Sequence, residues 1–441
     1  MITDASLIET VLFWCLVILV LLPFPLTWSI FGYLLIAHLD MSGPTWASAS
    51  SMGWENMLKI LVLPTVLWLR TRPRCWGFIK GSKTFRIWMV FMLYTAIASL
   101  WSSFPLSAAK LIGYLYGHTV TFLVLVEAWC SIGRVRMYRI VLISLGVSLL
   151  FAIIQTYFLG NPFGTSEGRF TSFSGPQSFA AYLVCALAIV LLGSEHGAKG
   201  ILAGSLGTVI IAIPLLLTGS NTMLLGMGAV VMYWIVIRTV AKPSYAHLTQ
   251  FHLVCLIAGV LCLTFFLYPD LLHISRATNF IYAVVSKDMR LSDIGTFAWR
   301  ISIYRTITQV LGQSGIMAIL FGHGTSNGAN LMVHYLGGYE AVTIDANRVL
   351  HNEWLRIIYE WGLLGVALFC SFLASLFVVA IKRIRSPFSW PFLSIVPMLL
   401  GLLTVENVLA SSGTPEGIGL MLVIAEMACC VKGPNRVRCL L

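Results

Sequence analysis

Charged side chains are what this sequence has least of. They make up 10% of its 441 residues, against roughly a quarter in an ordinary soluble domain. Acidic residues are the scarcer sign, with 17 Asp and Glu against 28 Lys and Arg. Apolar residues reach 58%, and a soluble chain of this length could not hide so much apolar surface in its cores. The chain therefore reads as an integral membrane protein, with the bilayer as solvent for that surface.

Other absences narrow the function. Met1 to Thr10 holds Asp4 and Glu9 but no Lys or Arg, so the basic start of a cleavable signal peptide is missing and this end is expected to be mature protein. Of the ten cysteines, Cys15, Cys130, Cys185, Cys255, Cys262, Cys370, Cys429 and Cys430 lie in apolar runs or at their ends, Cys75 and Cys439 lie in basic loops, and none falls between Pro269 and His351. That pattern indicates neither a disulfide framework nor a CxxC metal site, and fits cysteine as a small apolar residue. No Asp/Glu cluster, DxD or His/Cys grouping suggests a divalent cation, so no metal or other cofactor is expected. A Walker-type Gly-rich loop is missing, which argues against ATP drive, and so is a Gly-x-Ser-x-Gly elbow. The net charge of +11 does not indicate nucleic acid, because the basic residues sit in short loops between apolar runs, as membrane topology requires.

What is present is a succession of apolar runs. A span needs about 20 such residues, and spans are expected near 7–22, 24–38, 56–70, 86–101, 111–129, 138–159, 176–192, 199–217, 220–238, 250–268, 353–381, 390–408 and 415–431. The first two meet at Pro23-Phe24-Pro25 and form either a tight hairpin or one broken helix, for 12 or 13 spans in total. The expected fold is all-α, a polytopic transmembrane helix bundle in a single membrane domain, residues 1–441. No internal repeat or long linker divides it.

Most of the Lys and Arg fall in alternate loops: 70–86, 134–139, Lys199, 238–242, 382–385 and 432–438. The positive-inside rule makes these cytoplasmic. The 160–175 loop and the long 269–352 segment then lie outside, which puts Arg169, Arg300 and His351 on one face. Within the long segment, 298–321 carries Ile301, Tyr304, Ile307, Val310 and Leu311 at helical spacing, with Gly322-His323-Gly324 as a stop. A helix lying at the interface would suit it.

Several residues on that face could carry chemistry. His351 precedes an apolar helix in HNEWLRIIYEWGLLG, and an imidazole can take a proton at neutral pH. Asn352 beside it can orient a substrate or cap the helix. The bland reading is an interfacial histidine and a cap. Arg300 lies in FAWRISIYRTI, with Arg305 placed on nearly the same helical face. Guanidinium groups grip phosphate oxygens in bidentate fashion, although an arginine snorkelling to the headgroups is the plain alternative. Arg169 lies in EGRFTSFSGPQSFAAYL, where a polar span start could offer N–H groups to an anion or Glu167 could simply pair with it. Glu360 lies two turns inside the helix after His351, where an ionisable residue is costly. Arg356, four residues earlier, is its expected ion-pair partner. Glu406, Glu426 and Glu127 are singletons without an assigned role.

The order of these motifs resembles a known family. GRFTSFSGPQSFAAYL, then WRISIY, then FGHGTSNG, then HNEWLRIIYEWGLLG is similar to the O-antigen ligase and polymerase superfamily, which includes Wzy-type and exopolysaccharide polymerases. The motifs cover about residues 160–370, and the HN-x-x-L and E-x-G-L-x-G runs are the most specific. The resemblance implies a metal-independent, inverting glycosyltransferase of the GT-C type in the bacterial inner membrane, with a periplasmic active face. Its donor would be an undecaprenyl-pyrophosphate-linked glycan, and its partners the lipid bilayer and a chain-length regulator or flippase. His351 would be the base on the acceptor hydroxyl, Arg300 would bind the donor pyrophosphate, and Arg169 would match the loop arginine. His323, Asn352 and Glu360 would join the substrate site. The family's Ser-Arg pair reads Ser220-Asn221 here, so Arg305, Arg348 or Arg169 would have to replace the missing cation.

The leading expectation is a polymerase joining lipid-linked repeat units, and the runner-up a ligase transferring the glycan to lipid A–core. A lipid-linked glycan transporter or flippase would instead need paired charges and broken helices at the membrane midplane. A purely structural scaffold is the remaining option.

Overall fold

The structure is a computed structural model and describes residues 4–39, 54–71, 79, 81–158, 176–193, 198–218, 220, 223, 226–228, 230–231, 295–328, 330–331, 352–384, 403, 408–410, 412–431 and 437–439. Helices make up nearly all of it. They are α1 (Asp4–Leu21), α2 (Leu26–Ile36), α3 (Trp54–Met57), α4 (Leu63–Arg70), α5 (Lys83–Ala98), α6 (Pro105–Ile132), α7 (Arg134–Ile153), α8 (Pro176–Gly193), α9 (Ala198–Leu217), α10 (Gly295–Gln313), α11 (Ile316–Phe321), α12 (Glu353–Ile384) and α13 (Pro415–Ala428). A π turn at Leu58–Val62 joins α3 to α4, and another at Ile154–Phe158 ends α7.

Four described helical stretches are long and apolar enough to cross a membrane: Lys83–Trp101, Pro105–Ile132, Arg134–Phe158 and Glu353–Val379. The chain is thus a multi-pass membrane protein. α6 is the central member, with 78% of its most apolar window buried, against 28% for the windows in α5 and α12. At 28 residues it is about 42 Å long, more than the ~30 Å of hydrocarbon. α13 packs against α6 and α8, α12 against α5 and α11, and α4 against α6. Close helix approach rests on small residues. A Cβ on Gly117 of α6 would stand 2.5 Å from the Ile60 side chain and 2.4 Å from Ser412 Oγ, so only glycine lets this seam close.

Local chemistry sets the ends. Pro105 opens α6 at a position where its missing N–H costs nothing. Gly133 alone separates α6 from α7 at φ 87°, ψ 151°, a conformation available to glycine and strained for other residues. Ser82 caps α5 by accepting from the Phe85 N–H.

Several expectations are refined. The Pro23-Phe24-Pro25 region is a hairpin: α1 and α2 are separate helices packed on one another. The 56–70 span is interrupted by the π turn that holds Lys59. This buried lysine, which the span assignment passed over, donates to the Leu39 carbonyl at 2.7 Å. The 298–321 helix is two helices, because Ser314-Gly315 breaks it. The 353–381 span has a break at Gly362, φ 60°, ψ −164°.

The all-α expectation also misses one element. α13 ends at Ala428, short of residue 431, and Cys429–Val431 (β1) pairs antiparallel with Val437–Cys439 (β2), Cys429 opposite Cys439. The joining sequence contains Gly433-Pro434-Asn435, residues that favour turns. The 250–268 and 390–408 spans fall wholly or mostly outside the described residues, as does most of 220–238.

Glu426 gains a partner. Its Oε1 accepts from Arg134 Nε at 3.1 Å and from the Tyr138 hydroxyl at 2.9 Å, tying α13 to the start of α7. Glu127 accepts from Ser131 Oγ at 2.7 Å. Glu406 lies outside the described residues.

Candidate active site

The site is built where α12 begins. Asn352 stands just before it as the N-cap: its Oδ1 accepts from the Leu355 N–H at 3.1 Å, and its carbonyl accepts from the Arg356 N–H at 3.0 Å. The first bond satisfies an N–H that a helix start leaves without an intrahelical partner, and the second is the first bond of the helix itself. Asn352 is buried, so the cap fixes the backbone immediately after His351. His351 itself lies outside the described residues, as do Arg169 and Arg348.

The next turn carries a buried ion pair. Arg356 Nη1 meets both oxygens of Glu353 at 3.1 Å, and neither side chain is appreciably exposed. Glu353 Oε1 also accepts from the Leu409 N–H at 2.9 Å. Arg356 thus takes Glu353 as a direct partner. Three residues apart, the two lie on one face of the helix, while Glu360 is also held by backbone from another segment.

That segment is the loop after α11. Glu360 is fully buried. Its Oε2 accepts from the Ser326 N–H at 2.8 Å and its Oε1 from the Gly328 N–H at 3.1 Å. Glu360 holds the GHGTSNG loop through these two hydrogen bonds to its backbone. Further bonds fasten the loop to α12. The His323 N–H donates to the Tyr359 carbonyl and the Gly324 N–H to the Glu360 carbonyl, both at 2.9 Å. In an unbroken helix these carbonyls would serve Leu363 and Leu364. The break at Gly362 interrupts that ladder and gives them to the loop.

The break and the loop need each other. A Cβ on Gly362 would stand 2.5 Å from the Gly322 nitrogen, and one on Gly322 would stand 2.3 Å from the Glu360 carbonyl oxygen. The loop also holds positive φ at Gly324 (102°) and Ser326 (64°). α5 braces it from the other side. The Tyr94 hydroxyl lies 2.8 and 3.0 Å from the Phe321 and Trp361 carbonyls and shares its one hydrogen between them. Thr325 Oγ1 donates to the Thr95 carbonyl at 2.7 Å and accepts from Trp361 Nε1 at 3.0 Å. Ser102 Oγ donates to the Thr325 carbonyl at 2.6 Å, and Asn327 Oδ1 accepts from the Ser103 N–H at 2.9 Å. These bonds make the loop a rigid element despite its glycines.

His323 sits on this frame, half-buried. Its ring stacks on Tyr359 with centroids 4.6 Å apart and planes 22° apart. Nε2 lies 3.0 Å from Ser314 Oγ, and Asn327 Nδ2 donates to its carbonyl. Burial pulls its pKa below the usual 6.5, because a charged ring is disfavoured away from water.

α10 lies along the same surface. Ile303, Ile307 and Val310 form an apolar cluster with Leu331 and Tyr359. Position 300 falls one turn before Ile303 on that stripe. Arg305 is exposed, which corrects its placement on nearly the same face as Arg300. Five residues advance a helix by about 500°, leaving the two positions about 140° apart. An apolar cavity of about 70 Å³ lies elsewhere, lined by Trp88, Phe122, Phe369 and Phe372, and no candidate site residue lines it.

Two separate runs in the sequence, the GHG loop and the E-x-G-L-x-G stretch, are thus one interlocked structure. Residues 206–370 match the family model of the O-antigen ligases. The resemblance to the O-antigen ligase and polymerase superfamily stands on that match. The matched segment takes in Arg300, Arg305, His323, Arg348, His351, Asn352 and Glu360 and leaves Arg169 outside. No curated protein matches the chain. Within the segment the structure brings together His323, Glu360 and the turns that follow Asn352.

Sequence reasoning missed the Glu353–Arg356 pair and the fixing role of Glu360. The signal for the first was present: opposite charges three residues apart at the start of an apolar helix.

Proposed function

We propose that the chain is a polysaccharide polymerase. It transfers a growing glycan from an undecaprenyl-pyrophosphate carrier to a lipid-linked repeat unit, by metal-independent, inverting transfer at the periplasmic face of a bacterial inner membrane, on a GT-C-type fold. The observation that carries this reading is the rigid frame of loop and helix within the O-antigen ligase segment, which fixes the backbone on the C-terminal side of His351 through the Asn352 cap.

In this reading His351 takes the proton from the acceptor hydroxyl as that oxygen attacks the anomeric carbon. The bond from the anomeric carbon to the carrier pyrophosphate breaks with inversion, and the pyrophosphate leaves with the bonding electrons. Arg300 binds its charge, with Arg169, Arg305 or Arg348 as the second cation. Asn352, whose Nδ2 no described group engages, is available to a substrate oxygen. His323 and Glu360 belong to the same substrate site, Glu360 by holding the loop. A chain-length regulator or flippase would work alongside.

The family description favours a second reading, in which the acceptor is a lipid A–core sugar. The same residues serve both. A transporter is less well supported, because the charges described in α12 are spent on one another and on backbone. Reconstitution with a lipid-linked repeat unit, with and without core acceptor, tests the choice. A ladder of products from the repeat unit alone supports polymerisation, and a single product formed only with core supports ligation.

A further inference from the structure

Ser314 Oγ lies 3.0 Å from Nε2 of His323, and its own bonding bears on which ring nitrogen carries the proton. α10 ends at Gln313, and the Ser314 N–H turns to the Leu311 carbonyl at 3.3 Å. The Val310 carbonyl, which that N–H would serve in a continuing helix, instead receives the Ser314 hydroxyl at 2.7 Å. A hydroxyl has one hydrogen, and this one is spent. With its hydrogen directed at Val310, Ser314 Oγ faces Nε2 at 3.0 Å as an acceptor, which points to Nε2 as the protonated nitrogen. In the neutral ring Nδ1 then holds a lone pair, and no described group engages it.

The rest of the residue is immobilised. Its N–H is bonded to Tyr359, its carbonyl is held by Asn327, and its ring lies on the Tyr359 ring. Tyr359 is seven residues beyond Asn352, two helical turns and ~10 Å along the same face of α12. An acceptor nitrogen of fixed direction thus stands on the stripe that begins at Asn352.

We propose that His323 Nδ1 accepts a hydrogen bond from a sugar hydroxyl of the lipid-linked acceptor, so that His323 is an acceptor-binding residue distinct from the base at His351. This rests on the transferase reading above. A hydrogen-bonding site rejects a partner it cannot satisfy, so the contact sets which sugar is accepted as well as how tightly.

Two variants separate this role from a structural one. Gln reproduces the Nε2 position of histidine and keeps a donor for Ser314, while Asn reproduces the Nδ1 position and keeps an acceptor for substrate. The probe is the lipid-linked saccharide extracted from cells lacking this protein, given to the full chain in nanodiscs. H323Q is expected to raise the acceptor KM about tenfold with kcat little changed, and H323N to raise it less. A purely structural histidine reverses that order, and the reverse order or equal values overturn the proposal. ¹⁵N spectra of histidine-labelled protein give a readout independent of activity: an Nε2–H tautomer at His323 is expected, and an Nδ1–H tautomer overturns the proposal. A wild-type protein that turns over no lipid-linked saccharide contradicts the transferase reading itself, while the tautomer still decides the geometry at His323.

Discussion

Gly322 and Gly362 meet backbone to backbone, so closely that a Cβ on Gly362 would stand 2.5 Å from the Gly322 nitrogen. Both hold positive φ, at 78° and 60°. Loop and broken helix can approach this way only because neither residue has a side chain. Gly362→Ala is therefore expected to cost about 1–3 kcal/mol from backbone strain alone, and more from the clash. It should lower the Tm of the detergent-solubilised protein by several degrees. An unchanged Tm would show that the two segments do not interlock.

Glu360 accepts two backbone N–H groups of the loop in a fully buried setting. Glu360→Gln offers one oxygen and an NH₂ group, so one loop N–H loses its acceptor. A hydrogen bond to a charged group contributes about 1.5–3 kcal/mol, and loss in that range is expected together with at least tenfold lower transfer. Hydrogen exchange should show Ser326 to Gly328 opening while α6 stays protected. Unaltered exchange in the loop would count against this role.

How far this was legible in the sequence differs by element. The apolar runs located most described helices, because a span must satisfy its backbone internally and that demand writes a long apolar run. The breaks were harder to see. Gly362 reads as an ordinary glycine in an apolar helix until the loop that invades its hydrogen-bond ladder is placed beside it. Glu360 was visible as a costly charge, but its partners are backbone amides more than thirty residues earlier, which carry no side-chain signature. Arg300 and Arg305 show the opposite case: their helix was legible, and their separate faces follow from counting residues at 100° each.

The Glu353–Arg356 pair is buried on both sides. Arg356→Met leaves Glu353 without its cation, and breaking a buried pair costs about 3–5 kcal/mol. Adding Glu353→Gln should recover much of that loss, since no unpaired charge then remains. The measurement is thermal unfolding of the single and double variants. A double variant no more stable than Arg356→Met would contradict the pairing.

The buried ring of His323 gives stability a pH dependence. Its pKa lies below 6.5 in the folded protein, so in the window beneath 6.5 the unfolded chain binds the proton more readily. Stability from this group is complete above 6.5 and is lost as pH falls through the folded value. Tyr359 faces the ring, and the neighbouring Glu360 carboxylate is already engaged by two amides. Between pH 7.5 and 5.5 the Tm should fall further in the wild type than in H323Q. Equal falls would exclude His323 as the source.

The proposed reaction is glycosyl transfer with His351 as the base. Its most direct test is polymer formation by the purified chain in liposomes loaded with a lipid-linked repeat unit, comparing wild type with His351→Ala. A ladder of products is expected from the wild type and none from the variant, at matched Tm and insertion. A ladder of normal length from His351→Ala would contradict it.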